Sequence, residues 1–344
     1  MILVNSEKFK KVIYECMLSV GVENIVADTV SNSLIQTSLR GVDSHGIRLF
    51  PHYFKELTLN KLNKSSIIEL TKKSPSITLI DAKNTFGHYV GQRAITEAIT
   101  TAQHTGIGVV SVSNSTHFGA AWYFTNQVAD QGMLGLALTN TEALVNAYNS
   151  KEAFFGTNPI CFSAPMLDED PYCLDMATST VSWNKIKSQR EQNLPLNNEW
   201  AYDVNGLPTE DPYQAVSLNS IGGYKGFGLG MLVEILCSGL TAGPISKEIA
   251  PLYDLSINED RKISHFFMAI DISKFVSLDW FKNYLTNMST QIRNLPKSGD
   301  QSVMVGGDKE KNTYKTRLIN GIPIEDTVFN EFLQISDDFK QTIL

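Results

Sequence analysis

The stretch GVDSHGIRLFPHYF, Gly41 to Phe54, gathers two histidines, an aspartate, a serine and an arginine within fourteen residues. Asp43, Ser44, His45 and Arg48 are close enough in the chain to place an imidazole beside an acid with a cation one turn away. Proton-transfer sites are commonly assembled from these groups. A further histidine, His117 in SNSTHFGAA, follows an apolar run that ends near Val112. Strand ends of this kind are frequent positions for site residues in α/β proteins. Ser, Thr and Asn neighbours near both histidines can fix a ring tautomer by hydrogen bonding. A lone histidine satisfied in a core is the competing reading for each. His88, His104 and His265 lack comparable surroundings and read as structural.

The run GGYKGFGLG, Gly222 to Gly230, puts Lys225 ahead of an apolar helix. Its N-terminal N–H groups and dipole would favour an anion such as a phosphate. A helix packed closely through its glycines explains the same spacing, and both readings stay open. The chain has no G-x-G-x-x-G, no P-loop and no G-x-S-x-G elbow. Asp43, His45, His117 and Asp175 include metal-ligand types, yet none are paired at i, i+4 and no H-E-x-x-H occurs, so no metal is expected.

These groups must be positioned by a chain of 344 residues, long enough for about two domains at about 100–200 residues each. With 42% hydrophobic and 19% charged residues the composition is that of a globular protein. A net charge of −7 and no basic stripe argue against nucleic-acid binding. Cys16, Cys161, Cys173 and Cys237 are scattered with no C-x-x-C, which fits reduced thiols rather than a disulfide framework. MILVNSEKFKK does not read as a secretory signal, so a cytoplasmic location is expected. Gly226 to Ile245 approaches the length of a membrane span, but Glu234 and five glycines interrupt it and a core helix is expected instead.

Apolar Phe9, Val12, Ile13, Cys16 and Val20 recur at helical spacing from Ser6 to the stop at Gly21, and a second helix is expected over 22–39. From Ser76 the pattern alternates: strand SITLIDA, helix GQRAITEAITTAQHTG, strand GIGVVSVSN, helix AAWYFTNQVADQG, strand LGLALTN. PICFSAPM and YCLDMAT read as strands, and residues 189–212 as a loop rich in Asn, Pro and Glu. A glycine-rich helix begins at Lys225, SHFFMAIDI is a strand, and Ser277 caps a helix through SLDWFKNYLTNMSTQIRNLP. A last helix over 325–339 is expected to fold back on the N-terminal lobe.

Taken in order, GVDSHGIRLFPHY, STHFGAA, GTNPICFSAP, LDMATS, KGFGLGMLVEIL and HFFMAIDISKF resemble the malate/L-lactate dehydrogenase family that is unrelated to the Rossmann-type enzymes. The resemblance runs from about Phe9 to Ile324. It implies an α/β (α+β) fold with a non-Rossmann cofactor domain on a mixed, largely antiparallel sheet with helices, residues 75–295. A helical lobe from the chain ends, 1–74 with 296–344, would complete it. It also implies a homodimer using NAD, with NADP as the alternative, and acting on a small-molecule substrate. His117 and His45 become the two candidates for the proton-transferring histidine. Cofactor contacts carry over onto Thr141, Asp175, Met176, Ala177, Thr178, Ser179, Lys225 and Gly226. The family's late P-G-E segment corresponds to Gly306, Gly307 and Asp308, without its proline.

The opening stretch departs from the family. The arginine usually four residues after the DSHG histidine, which can clamp a carboxylate in bidentate fashion, is Leu49, and the arginine of P-R-Y is His52. Substrate contacts are therefore expected from Ser44, Arg48 and His52, with the clamp re-routed through Arg48, replaced by His52, or lost. The primary expectation is hydride transfer between nicotinamide and a small 2-hydroxy or 2-oxo acid. Leu49 raises two alternatives on the same fold: an amide such as ureidoglycolate, or a cyclic imine or sugar-derived acid. A non-catalytic binding protein is the alternative from another class.

Overall fold

The computed structural model describes residues 1–257 and 259–344. β1 (Ile2–Val4) leads into α1 (Ser6–Ser19), capped by the Asn5 side chain accepting from the Lys8 N–H. The i, i+3, i+4 apolar face of α1 is buried against α2 (Asn24–Leu39). Two short 3₁₀ turns, Asp43–His45 and Ile47–Leu49, then deliver the chain to α3 (Phe50–Thr58), with Pro51 in its first turn, where a missing N–H costs nothing.

The main sheet starts with β2 (Glu69–Ser74) and β3 (Ile77–Asp81), followed by α4 (Gly87–Thr105), β4 (Ile107–Ser115), α5 (Trp122–Asp130) and β5 (Met133–Thr139). Next come β6 (Val145–Asn146), β7 (Ala153–Phe155), β8 (Ile160–Ala164), β9 (Tyr172–Met176) and α6 (Trp183–Glu191). β10 (Ala201–Tyr202), β11 (Ser217–Leu218) and α7 (Tyr224–Glu234) precede β12 (Ile263–Asp271) and α8 (Leu278–Arg293). The chain closes with α9 (Asp308–Asn320), β13 (Ile322–Ile324) and α10 (Asp326–Leu333).

Seven strands in the order β2-β3-β4-β12-β5-β8-β9 form the main sheet, antiparallel at every junction except β3–β4. This is the mixed, largely antiparallel arrangement expected. β12 takes the middle place because ISHFFMAID is apolar almost throughout and can be covered on both faces. Its His265 is tied to Thr139 of β5 and Ser115 of β4 at 2.7 and 2.8 Å. β2 is one edge strand of this sheet, paired with β3 across the boundary placed at residue 75 from sequence. A smaller sheet, β10-β11-β6-β7, stands apart.

In the helical lobe, β1 pairs antiparallel with β13, Ile2 opposite Ile324. The segment expected as one helix over 325–339 is two pieces, α10 and a 3₁₀ helix over Asp337–Thr342. The packing explains the break. In an unbroken helix residues seven apart are separated by about 10.5 Å along the axis, whereas the rings of Phe332 and Phe339 lie 5.0 Å apart, both 4.8 Å from Phe9.

Candidate active site

His45 ends the first 3₁₀ turn after α2, and His117 lies in the loop between β4 and α5. Their rings stack 5.6 Å apart at 27°. Ser44 Oγ is 2.8 Å from His45 Nδ1, and the Tyr53 hydroxyl, reaching across from α3, is 2.6 Å from His117 Nδ1. Asp43 turns away from both rings to a bidentate pair with Arg317 of α9, with Nη2 to Oδ2 at 2.8 Å. The acid two residues before His45 therefore fixes the turn, and the imidazole is oriented by a hydroxyl.

Burial governs the protonation states. It lowers the His45 pKa to about 4 and takes His117 well below its ordinary range, where the charges of His45, His88 and Arg261 add to the effect. Burial, then the Glu56 carboxylate, raise the Tyr53 phenol well above 10. At neutral pH both rings are uncharged and the phenol keeps its proton. His88 stands behind them, fully buried, with no hydrogen-bond partner at either ring nitrogen. Gly119, at φ +79°, touches it: a Cβ there would fall 2.6 Å from His88 Nε2, so both conformation and space require glycine.

His45 and Ser44 form one end of a cleft of about 600 Å³, within the range of small-molecule and cofactor pockets. Of the residues expected to contact a cofactor, Asp175, Met176, Ala177, Ser179, Gly306 and Gly307 line it. Asp175 accepts the Trp122 N–H at 3.0 Å at the start of α5, and burial raises its pKa to about 6. Thr178 lies behind the wall, its N–H and hydroxyl both on the Thr157 carbonyl. Thr141 is also behind it, bonded to Asn158 Oδ1 at 3.2 Å. Asp308 shapes the Gly306–Gly307 turn by accepting from the Val305 N–H at 3.0 Å and from Arg293 at 2.9 and 2.6 Å. Arg293 also grips Glu169. Lys225 is exposed in the first turn of α7, and Gly226 is buried against the Ile221 carbonyl with no room for a side chain.

The expected substrate contacts separate. Ser44 stays at the cleft, whereas Arg48 pairs with Glu325 at 3.2 Å and His52 sits 3.5 Å from Glu56 with its ring against Tyr253. Leu49 is buried.

Residues that the sequence reading did not single out complete the site. Tyr53 is one. Arg40, Trp122 and Asn126 are others, because each lines the cleft and each has a buried donor without a partner: Nε, Nε1 and Nδ2. Buried donors are almost always satisfied, and three unpartnered ones on residues of this lining are donors an acceptor-rich ligand would engage. A dinucleotide, with its carboxamide, ribose and phosphate oxygens, fits that donor set. Among the described residues no three His, Cys, Asp or Glu side chains are placed to share a metal ion.

The family model described as malate/L-lactate dehydrogenase matches residues 4–333. The chain belongs to that family. Among relatives of this dehydrogenase, malate dehydrogenase of Pyrococcus abyssi is 35% identical over 90% of this chain and 87% of its own. Ureidoglycolate dehydrogenase of Escherichia coli is 27% identical over 95% and 93%. In three dimensions, malate dehydrogenase from Entamoeba histolytica superimposes with a TM-score of 0.93 at 29% identity, covering 98% of both chains. Sulfolactate dehydrogenase from Methanocaldococcus jannaschii gives 0.91 at 29%, covering 99% and 98%.

Proposed function

We propose that this dehydrogenase family member uses NAD, with NADP as the alternative, to oxidise a small 2-hydroxy acid to its 2-oxo acid, and to run the reverse. The observation that carries the reading is the Tyr53–His117 hydrogen bond of 2.6 Å beside His45, at the end of a cleft whose lining residues include unpartnered donors. The bound nicotinamide would accept or return the hydride at C4. Arg40, Trp122, Asn126 and the Gly306–Gly307 turn would hold its oxygens, with Asp175 and Met176 to Ser179 along one wall. Lys225, Gly226, Thr141 and Asp308 enter the proposal as neighbours of that wall.

The chain's part in catalysis follows from hydrogen bonding. Of the two directions the Tyr53–His117 contact allows, the reaction requires Nδ1–H donating to the Tyr53 oxygen, which leaves His117 Nε2 free to take the substrate hydroxyl proton. The resulting imidazolium is disfavoured by burial and stabilised by Tyr53 and by the substrate's own carboxylate. An anionic substrate thus raises the basicity of the group that deprotonates it. Ser44 fixes His45 as the second wall of the proton site.

Two further assignments rest on supporting features. The exposed apolar face of α7 and the residue after it, with Leu229, Met231, Leu232 and Ile235 uncovered, supports a homodimer. Four unpaired cysteines support a cytoplasmic setting. The engagement of Arg48 by Glu325 favours a second reading, in which the substrate is an amide, imine or sugar-derived acid.

The test is a screen of nicotinamide reduction over 2-hydroxy acids, ureidoglycolate and sugar acids with both cofactors, in the wild type and His117→Asn. The expected result is turnover of a 2-hydroxy acid that falls about 10²-fold or more in the variant, with cofactor affinity unchanged. Tight cofactor binding without reduction by any compound would favour the non-catalytic reading.

A further inference from the structure

A 2-hydroxy acid bound with its hydroxyl at His117 needs a cation for its carboxylate, and the 3₁₀ turn Ile47–Leu49 supplies none that is free. Leu49 is buried and Arg48 is paired with Glu325. The neighbouring wall is different. It is built on Tyr253, whose ring meets His52 at 5.1 Å, one residue before the Tyr53 that holds His117.

Three cations surround Tyr253. The Lys187 ammonium lies 3.4 Å from its ring centre. Burial raises the Tyr253 phenol, and the charges of Arg48 and Arg261 pull it back, which places both guanidinium groups within electrostatic reach. Arg48 is neutralised by Glu325, and Arg261 by Glu142 at 2.9 Å. Among the described residues Lys187 has no carboxylate at ion-pair distance, with Glu191 and Glu142 farther off but within electrostatic reach. It rests on a π face, partly buried, and desolvation lowers its pKa.

α6 also touches the turn that carries His45. Its Asn184 Nδ2 donates to the carbonyl of Ser44 at 3.2 Å, next to His45. Asn184 and Lys187 are three residues apart and so share one helix face. That face bridges the His45 turn and Tyr253.

We propose that Lys187, seated on Tyr253, is the anchor for the substrate's acid group, a role Arg48 cannot fill while it is paired with Glu325. The inference rests on the hydroxy-acid reading above and names how that substrate is held. An ammonium is a point charge without the planar fork of a guanidinium. The site therefore takes a single anionic group with little demand on its geometry, planar carboxylate or tetrahedral sulfonate alike.

The experiment uses Lys187→Met and Lys187→Arg in the full-length protein, with lactate, malate and their neutral amides. Loss of one charge-assisted contact should raise KM for the acids about ten- to a hundredfold in the Met variant. The same variant should keep kcat within about threefold, with amide kinetics and calorimetric cofactor affinity unchanged, and Lys187→Arg should recover most of the loss. An unchanged acid-to-amide ratio in Lys187→Met overturns the assignment. A second arm needs no turnover: calorimetric binding of pyruvate and oxaloacetate to the protein loaded with reduced cofactor. Acid binding that weakens about tenfold or more in Lys187→Met supports the anchor even if the redox reading fails. Equal affinities, or no acid binding by the wild type, overturn it.

Discussion

Replacing Tyr53 by Phe removes one oxygen, the one 2.6 Å from His117 Nδ1. The ring can keep its edge-on contacts with Phe86 at 6.1 Å and His88 at 5.4 Å, so packing is preserved. What is lost is a hydrogen bond that matters most when His117 is charged. Such bonds contribute about 1.5–3 kcal/mol, and about 1.4 kcal/mol is a factor of ten in rate or one pKa unit. The variant should therefore lose about ten- to a hundredfold in kcat, with KM changed little because the phenol is on the far side of the ring from the reacting hydroxyl. The sign in pH follows from the same loss. Without its acceptor the imidazolium is less stable, so the His117 pKa, already depressed, falls further. For reduction, which needs protonated His117, the alkaline limb of the pH profile should move about one to two units lower. For oxidation the acid limb should move the same way, with a lower plateau from the weaker base. Steady-state kinetics in both directions across pH is the assay. A kcat within twofold of wild type, with unmoved limbs, would refute the claim that Tyr53 supports the proton carrier.

Acid should unfold the protein earlier than its carboxylates alone would require. The folded pKa values of His45, about 4, and of His88 and His265, about 3, lie below the ordinary 6.5. The unfolded chain then binds protons that the fold refuses, so stability is complete above pH 6.5 and falls toward pH 4 by up to roughly 1.4 kcal/mol per unit per histidine. Asp175, raised to about 6, works in the opposite direction between pH 3.8 and 6 and offsets part of one histidine. A Tm that stays flat from pH 7 to 5 would contradict this. Arg48→Leu removes only a partly exposed ion pair and should cost less than about 1 kcal/mol of stability and less than about twofold in kcat/KM for acids. A tenfold loss confined to carboxylate substrates would instead make Arg48 the clamp.

The strands and long helices were legible because their burial leaves a period in the sequence. β4 and β12 are apolar runs, and Ser277 caps α8 by accepting from the Trp280 N–H. α6 went unread, and its last three residues fall in the loop expected over 189–212, because Ile186 is its only buried residue, so WNKIKSQRE shows no stripe. Its one local signal is Ser182, whose side chain caps it. The histidines stood out by clustering with polar neighbours. Tyr53 did not, since nothing local marks a phenol whose partner is 64 residues away. Arg40, Trp122 and Asn126 are likewise recognisable only once folding has buried their donors and left them unanswered. Arg48 shows the converse: its spacing from His45 invites a substrate role, and Glu325, brought in from the far end of the chain, occupies it.

The pairing of β1 with β13 also sets a timetable for synthesis. Until residues 322–339 have been made, α1 and α3 lack the strand and the two phenylalanines that cover Phe9 and Phe50. Until residue 317 has been made Asp43 also lacks Arg317, so the turn carrying His45 is unpinned. A ribosome-bound chain therefore displays an aromatic surface for most of its elongation, the kind of surface that chaperones shield and that aggregates when left bare. Truncation within that late segment should be felt first as a loss of soluble yield, since contacts this distant in sequence must close before the lobe holds together.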